Sequence, residues 1–240
     1  MNVVFVFAHQ DDEIAFASRI RMNVARGDRV TCVCLTDGAS AVSASIRDEE
    51  SGRVLGMLGV PPLLVDRERI ADGFLPENMD RALAFLERAA IDAEEIVTLA
   101  WEGGHQDHDA AHLIAAVFAR ERGIRCVEMP LYNGEGSPGK LFRVMHPVGD
   151  GWTSRRLSLR ERLGDVLLTR FYPSQRKTWL GLAPLMLLGR PRELTRVADL
   201  RRVVAPPHRG ALLYERRFRY RYARFAEEAA RFLRHRAARD

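Results

Sequence analysis

Val3-Val4-Phe5-Val6-Phe7-Ala8 is an unbroken apolar run that ends on His9-Gln10-Asp11-Asp12-Glu13. A run of this length, with no polar alternation, predicts a strand buried on both faces. Residues 13–25 follow with apolar side chains at helical spacing (Ile14, Phe16, Ala17, Ile20, Val24), and Gly27 stops them. The same alternation continues outward. Residues 30–35 predict a second strand closed by Thr36-Asp37-Gly38, residues 47–58 a helix ended by Gly59, Pro61 and Pro62, and residues 63–65 a brief third strand. A helix over 77–90, a strand over 96–100, a helix over 109–119 and a strand over 125–129 complete the series. Strands alternating with helices predict an α/β fold: a Rossmann-like, mostly parallel sheet with helices on both faces and right-handed crossovers.

The second half is less regular. A strand is expected over 141–148, a helix over 159–168, a strand over 211–217 and a long basic helix over 220–236. Residues 179–188 are strongly apolar but broken by Gly181 and Pro184. They suit a buried helical segment, a wall of a cleft or a patch that touches a membrane, with burial the preferred reading because large exposed apolar patches are uncommon. No internal repeat or low-complexity linker interrupts the chain.

Composition bounds the function. Among 240 residues, 47% are hydrophobic and 29% charged, so a single buried core is expected and disorder is not. No window is apolar enough to span a membrane, and the N-terminal run lacks a basic start and a cleavage site. Cys32, Cys34 and Cys126 follow no metal-finger or redox spacing and read as buried thiols of a cytoplasmic protein. The net charge of +5 conceals an asymmetry: residues 1–139 carry 13 basic and 23 acidic side chains, and residues 140–240 carry 24 and 9. The basic half is mostly Arg on helix-like stretches. A salt-bridged helical surface is the preferred reading and an anionic partner the alternative; without aromatic interleaving, nucleic acid is not expected.

The chemistry collects at strand ends, where open α/β sheets bind ligands. One cluster is His9 to Glu13. The other, Trp101-Glu102-Gly103-Gly104-His105-Gln106-Asp107-His108, follows the strand over 96–100. Alone, the first cluster would also suit the acidic start of a helix. Two histidines flanking an aspartate after a glycine pair have few purely structural uses, so the two clusters together point to a metal. Two imidazoles and a carboxylate suit zinc and leave a position for a water whose pKa falls to about 7. A further carboxylate must take the proton, and the adjacent Asp11 and Asp12 supply one of each. His105 can stabilise a tetrahedral intermediate or protonate a leaving amine. Glu13 and Asp107 read as groups that orient imidazoles or cap helices. His112, one turn beyond His108, reads as packing. Ser174 has no histidine partner, and no Gly-rich loop has nucleotide-binding spacing.

Ala8-His9-Gln10-Asp11-Asp12-Glu13 resembles the AHxDDE signature of PIG-L/LmbE-like N-acetylglucosaminyl deacetylases, and His105-Gln106-Asp107-His108 resembles their HxDH signature. Arg47-x-x-Glu50, Asp72-Gly73 and Tyr172-x-Ser174-Gln175 extend the likeness. The resemblance implies Zn2+, or another divalent metal such as Fe2+, on His9, Asp12 and His108. It further implies Asp11 as general base, His105 as acid or oxyanion stabiliser, and substrate contacts from Arg47 and Asp72. Arg47 would equally suit a helix salt bridge to Glu50. The implied activity is removal of the acetyl group from an N-acetylglucosamine-type small molecule or glycoconjugate. A zinc amidase for larger acyl groups and a non-catalytic carbohydrate-binding relative are the rivals. The basic second half and residues 179–188 lean towards an anionic or lipid-linked acceptor and a location peripheral to a membrane. Two departures stand out: Gln10 replaces the signature's usual proline, and Gly103-Gly104 stand where some members carry a tyrosine, leaving Tyr132 and Tyr172 as other sources of that hydroxyl. Residues 1–240 read as one domain, with 1–139 the core that carries the metal site and 140–240 an elaboration forming part of the substrate cleft.

Overall fold

The computed structural model describes residues 1–39, 42–62, 64–189 and 191–238. In chain order the elements are β1 (Asn2–Phe7), α1 (Asp12–Ala15), α2 (Ala17–Ala25), β2 (Arg29–Thr36), α3 (Ala44–Met57), β3 (Leu64–Ile70), α4 (Met79–Ala89), β4 (Glu95–Leu99), α5 (Gln106–Arg122) and β5 (Arg125–Met129). The second half adds β6 (Tyr132–Asn133), β7 (Arg143–Val144), β8 (Thr153–Arg156), α6 (Leu159–Leu168), α7 (Arg176–Leu188), β9 (Arg192–Val197), α8 (Leu213–Arg217) and α9 (Tyr222–Ala237). The expected third strand begins one residue later, Leu63 lying outside the described residues.

Seven strands form one sheet in the order β3-β2-β1-β4-β5-β9-β8. The first five are parallel, and β9 and β8 close the β5 edge antiparallel. This is the mostly parallel, Rossmann-like α/β architecture expected from the alternation. The apolar run explains the central place of β1: Val3, Phe5, Val6 and Phe7 have no exposure, because neighbouring strands and helices cover both faces. The strand order reverses between β1 and β4, and such a switch point opens a crevice beyond the carboxyl ends. The two His–Asp clusters leave from those two ends.

Four expectations need correction. The helix over 13–25 is two helices broken at Phe16, whose ring turns into the core against Phe5 and Phe7. The strand over 141–148 shrinks to the two residues of β7, which pair with β6 in a separate two-stranded sheet. The strand over 211–217 is instead α8, a short helix in which the Glu215 carboxylate accepts from the Leu212 N–H at 2.8 Å. Residues 179–188 lie within α7, where Trp179 and Leu182 are buried but Leu180, Leu185 and Leu188 face solvent. No helix among the described residues is long and apolar enough to cross a membrane.

The charge asymmetry has an internal use. The closing helix α9 lays its cations on acids of the first half: Arg236 meets Glu121 at 2.6 Å and Glu87 at 3.1 Å, and His235 meets Asp80 at 3.1 Å. Arg224 reaches Glu77 at 2.7 Å.

Candidate metal centre

The loop after β1 brings His9, Asp11 and Asp12 to the crevice. Asp12 opens α1 and is pinned by its own loop: one carboxylate oxygen accepts from the N–H groups of Ala8 (3.1 Å) and His9 (2.9 Å). The other oxygen lies 3.3 Å from Nε2 of His108. Nδ1 of His9 is 3.2 Å from that same nitrogen. His108 reaches this point from the first turn of α5, which starts at the end of the β4 loop.

The opposite edge of His9 is held by carboxylates. Its Nε2 lies 3.1 Å from Asp107 and 3.1 Å from Asp72. A ring that donates from Nε2 keeps its Nδ1 lone pair for the crevice, the arrangement by which carboxylates orient metal-binding imidazoles. Asp107 is itself fixed by the N–H groups of Gly73 (2.6 Å) and Leu75 (3.2 Å). Burial opposes a charge on His9, but Asp72, Asp107 and Asp12 outweigh it and raise its pKa well above the ordinary value. Burial likewise opposes the Asp12 carboxylate, yet the histidines and the His9 N–H hold it down at about 2.

These donors fit a metal ion. One ligand atom each from His9, Asp12 and His108 lies within 4.8 Å of the others. The two separations of 3.2 and 3.3 Å match the edge of a tetrahedron with bonds of about 2.0–2.1 Å, which is about 3.4 Å. His9, Asp72 and His105 form a second such group, sharing the same imidazole.

Asp11 sits beside the triad with φ of 99°, in the left-handed region. Its carboxylate accepts from Nη2 of Arg47 at 2.9 Å, and the same nitrogen donates to the Gln10 carbonyl. Burial pushes Asp11 up to about 6 against the pull of Arg47. Arg47 is almost wholly buried over the Tyr172 ring. Its expected alternative partner, Glu50, instead accepts from the Ser174 N–H at 2.9 Å and from the Ser174 hydroxyl. Glu13 accepts from the Ser51 hydroxyl (2.9 Å), the Tyr172 hydroxyl and the Asp11 N–H (2.9 Å). Burial raises it to about 7.

His105 caps α5: its Nδ1 accepts from the Asp107 N–H at 3.1 Å. Burial lowers its pKa to about 3, so the ring is neutral and carries its proton on Nε2. His112 stands apart, against the Leu99 carbonyl (3.0 Å) and Glu128 (3.3 Å).

Two neighbours had weaker signals in the sequence. Tyr132 packs edge-on against His108, with ring centroids 5.3 Å apart, and a Cβ on Gly104 would lie 2.1 Å from the Tyr132 carbonyl. Gly104 therefore permits the close approach of that chain and was the sequence trace of the contact, whereas Gly103, with φ of 71°, would set a Cβ against Leu212. Phe218 packs edge-on against His105 at 4.7 Å while remaining half exposed. Nothing in its local sequence marks it, because the contact depends on the fold returning through α8.

A Rossmann-like sheet with a His–Asp cluster at its switch point defines the class: an α/β protein with a site able to hold a divalent metal. The family model described as PIG-L, GlcNAc-PI de-N-acetylase, matches residues 4–119, the segment that carries both clusters. Over that segment, just under half of its length, the chain is similar to the PIG-L family. No curated protein matches it. Among solved structures it is similar to the conserved protein TT1542 from Thermus thermophilus (17% identity, TM-score 0.62, covering 88% of this chain and 100% of that one). It is also similar to N,N'-diacetylchitobiose deacetylase from Pyrococcus horikoshii (16%, TM-score 0.59, 84% and 85%). A third is the zinc-inhibited form of teicoplanin deacetylase Orf2 (14%, TM-score 0.58, 83% and 99%). At these identities the likeness concerns the fold.

Proposed function

We propose that this chain is a metal-dependent hydrolase that removes the acetyl group from an N-acetylglucosamine-type sugar conjugate. The observation that carries the reading is the convergence of His9 Nδ1, His108 Nε2 and an Asp12 oxygen at tetrahedral-edge separations. These three residues would hold the metal, with zinc favoured by two imidazoles and one carboxylate. A bound divalent ion supplies Lewis acidity, polarising an amide carbonyl and making water available as a nucleophile near neutral pH.

The chain's own groups supply the remaining steps. Asp11, outside the triad but adjacent to it, accepts the proton of the attacking water, and Arg47 fixes the direction of its carboxylate. His105, neutral and protonated on Nε2, donates to the oxygen that becomes negative in the tetrahedral intermediate. The proton taken by Asp11 is then available to the departing amine as acetate forms. Asp72 and Asp107 keep His9 in the tautomer that presents Nδ1. The segment 140–240 is read as part of the substrate cleft, because Phe218 reaches His105.

The choice of an acetamido sugar is supported by the family and by the deacetylases among the structural relatives. Acetate release from a panel of N-acetylglucosamine conjugates, with and without chelator, tests it. Chelator-sensitive acetate release supports the reading. Release of longer acyl groups in preference to acetate would shift it to the rival amidase.

A further inference from the structure

The helices α6 and α7 pack together and carry an apolar surface that the site does not use. Of the fifteen large apolar side chains exposed among the described residues, six lie on these two helices. They fall in register. Leu159, Leu163 and Leu167 repeat every four residues along α6, and Leu180, Pro184 and Leu188 do so along α7, so each helix presents one stripe to solvent. Leu188 is 82% exposed and Leu180 68%. An open groove of about 640 Å³ runs along α7 and the α6–α7 connection, lined by Val166, Arg170, Leu180, Ala183, Pro184 and Leu187 among others.

The charges around these stripes have one sign. Arg160, Arg170, Arg176 and Lys177 are exposed, and none has a carboxylate partner among the described residues. The two acids of the helices are both paired. Asp165 is buried and accepts from Ser18 and Arg21, and Glu161 is engaged by Arg155 and its own N-cap. Exposed leucine rows flanked by basic residues, on helices lying along a surface, are the chemistry of interfacial binding to anionic lipid. A second copy of this face would set cation against cation, which disfavours a two-fold dimer through it.

We propose that the α6–α7 face docks on an anionic lipid surface, with its leucines in the acyl boundary and Arg160, Arg170, Arg176 and Lys177 among the headgroups. The proposal concerns binding alone and stands whatever reaction the metal centre performs. The test is co-sedimentation of the full chain with vesicles of phosphatidylcholine, with and without phosphatidylglycerol, at low and high salt. Wild-type protein should sediment with the phosphatidylglycerol vesicles, stay in the supernatant with pure phosphatidylcholine, and be released by salt. The double variant Leu180→Gln, Leu188→Gln should lower partitioning by about tenfold or more at unchanged thermal stability, since both side chains are solvent-exposed. Arg176→Gln with Lys177→Gln should weaken it about fivefold per charge removed. Failure of the wild type to sediment, or equal sedimentation of all variants, overturns the proposal. So does a dimer in size-exclusion chromatography that the leucine variant converts to a monomer.

Discussion

The Arg47 guanidinium donates to the Asp11 carboxylate at 2.9 Å across a sequence separation of 36 residues, and it holds the Gln10 carbonyl with the same nitrogen. One buried side chain therefore sets both the loop and the carboxylate that it presents. Asp11 has a φ of 99°, a conformation that Asp and Asn tolerate better than other side chains with a Cβ. Asp11→Asn should thus keep the loop and the metal while lowering kcat by about 10²–10⁴-fold, the usual contribution of a general base. Arg47→Met should lower kcat with metal content unchanged, and Arg47→Lys should recover part of it. Steady-state kinetics beside metal analysis read all three. Near-normal turnover by Asp11→Asn would assign the proton to another group.

Metal binding should appear as stability, because the donors converge only in the folded chain. A ligand at about a thousand times its Kd adds about 4 kcal/mol. Added zinc should therefore raise the thermal midpoint of chelator-treated protein, and His108→Ala should abolish the rise. His105→Ala should retain it while losing turnover, since His105 lies outside the His9–Asp12–His108 group. Loss of the rise in His105→Ala instead would move the metal towards the other grouping, with His9 and Asp72.

The first half of the fold was legible because parallel strands buried on both faces must be apolar throughout. Val3 to Phe7 meets that demand, residues 96–99 meet it apart from Thr98, whose hydroxyl donates to the Val6 carbonyl, and the polar clusters that follow them mark the strand ends. The edge strands were not legible. In β8, Thr153-Ser154-Arg155-Arg156 is largely exposed, and β9 reads Arg-Glu-Leu-Thr-Arg-Val, so neither contains an apolar run. Their stability comes from pairing and from the Arg196–Glu128 and Arg155–Glu193 contacts, which link residues far apart in sequence. The apolar residues that begin α8 misled for the opposite reason: five residues are too few for helical and strand periods to separate. At the candidate site, the two His–Asp clusters were legible as polar groups at strand ends, and their assignment as ligands and base came with the resemblance. Which side chain holds which depends on distant segments, as with Arg47 on Asp11 and Asp72 on His9.

A pH dependence follows from the start of α6. Ser158 and Glu161 form a reciprocal cap, and Arg155 donates to Glu161 at 2.6 Å. That hydrogen bond leads the effects that lower Glu161 to about 2. The unfolded chain takes up this proton near the ordinary value of 4.5, so the stabilisation is complete above about pH 4.5 and disappears as pH falls through about 2. Glu161 is a third exposed, and after allowance for screening Glu161→Gln should cost about 1 kcal/mol at pH 7. Denaturant unfolding at pH 7 and near pH 3 should show that cost shrinking by more than half. A constant difference would mean that charge contributes nothing to the cap.

Tyr172 and Glu13 are 159 residues apart in sequence, yet the tyrosine hydroxyl donates to the glutamate carboxylate beneath the Asp11 loop, with both side chains fully buried. Glu13 also accepts from the Asp11 N–H at 2.9 Å, so this contact ties the chain between α6 and α7 to the backbone of the base. Tyr172→Phe leaves a buried carboxyl with one donor fewer, which should cost about 1–3 kcal/mol. Glu13→Gln should cost a similar amount. The double variant should be less destabilised than the sum of the two, with a coupling of about 1–2 kcal/mol, as for residues sharing one hydrogen bond. Simple additivity in urea unfolding would show that each residue acts through packing alone. If coupling is present and Tyr172→Phe also lowers kcat at constant metal content, the second half of the chain contributes to positioning Asp11 as well as to stability.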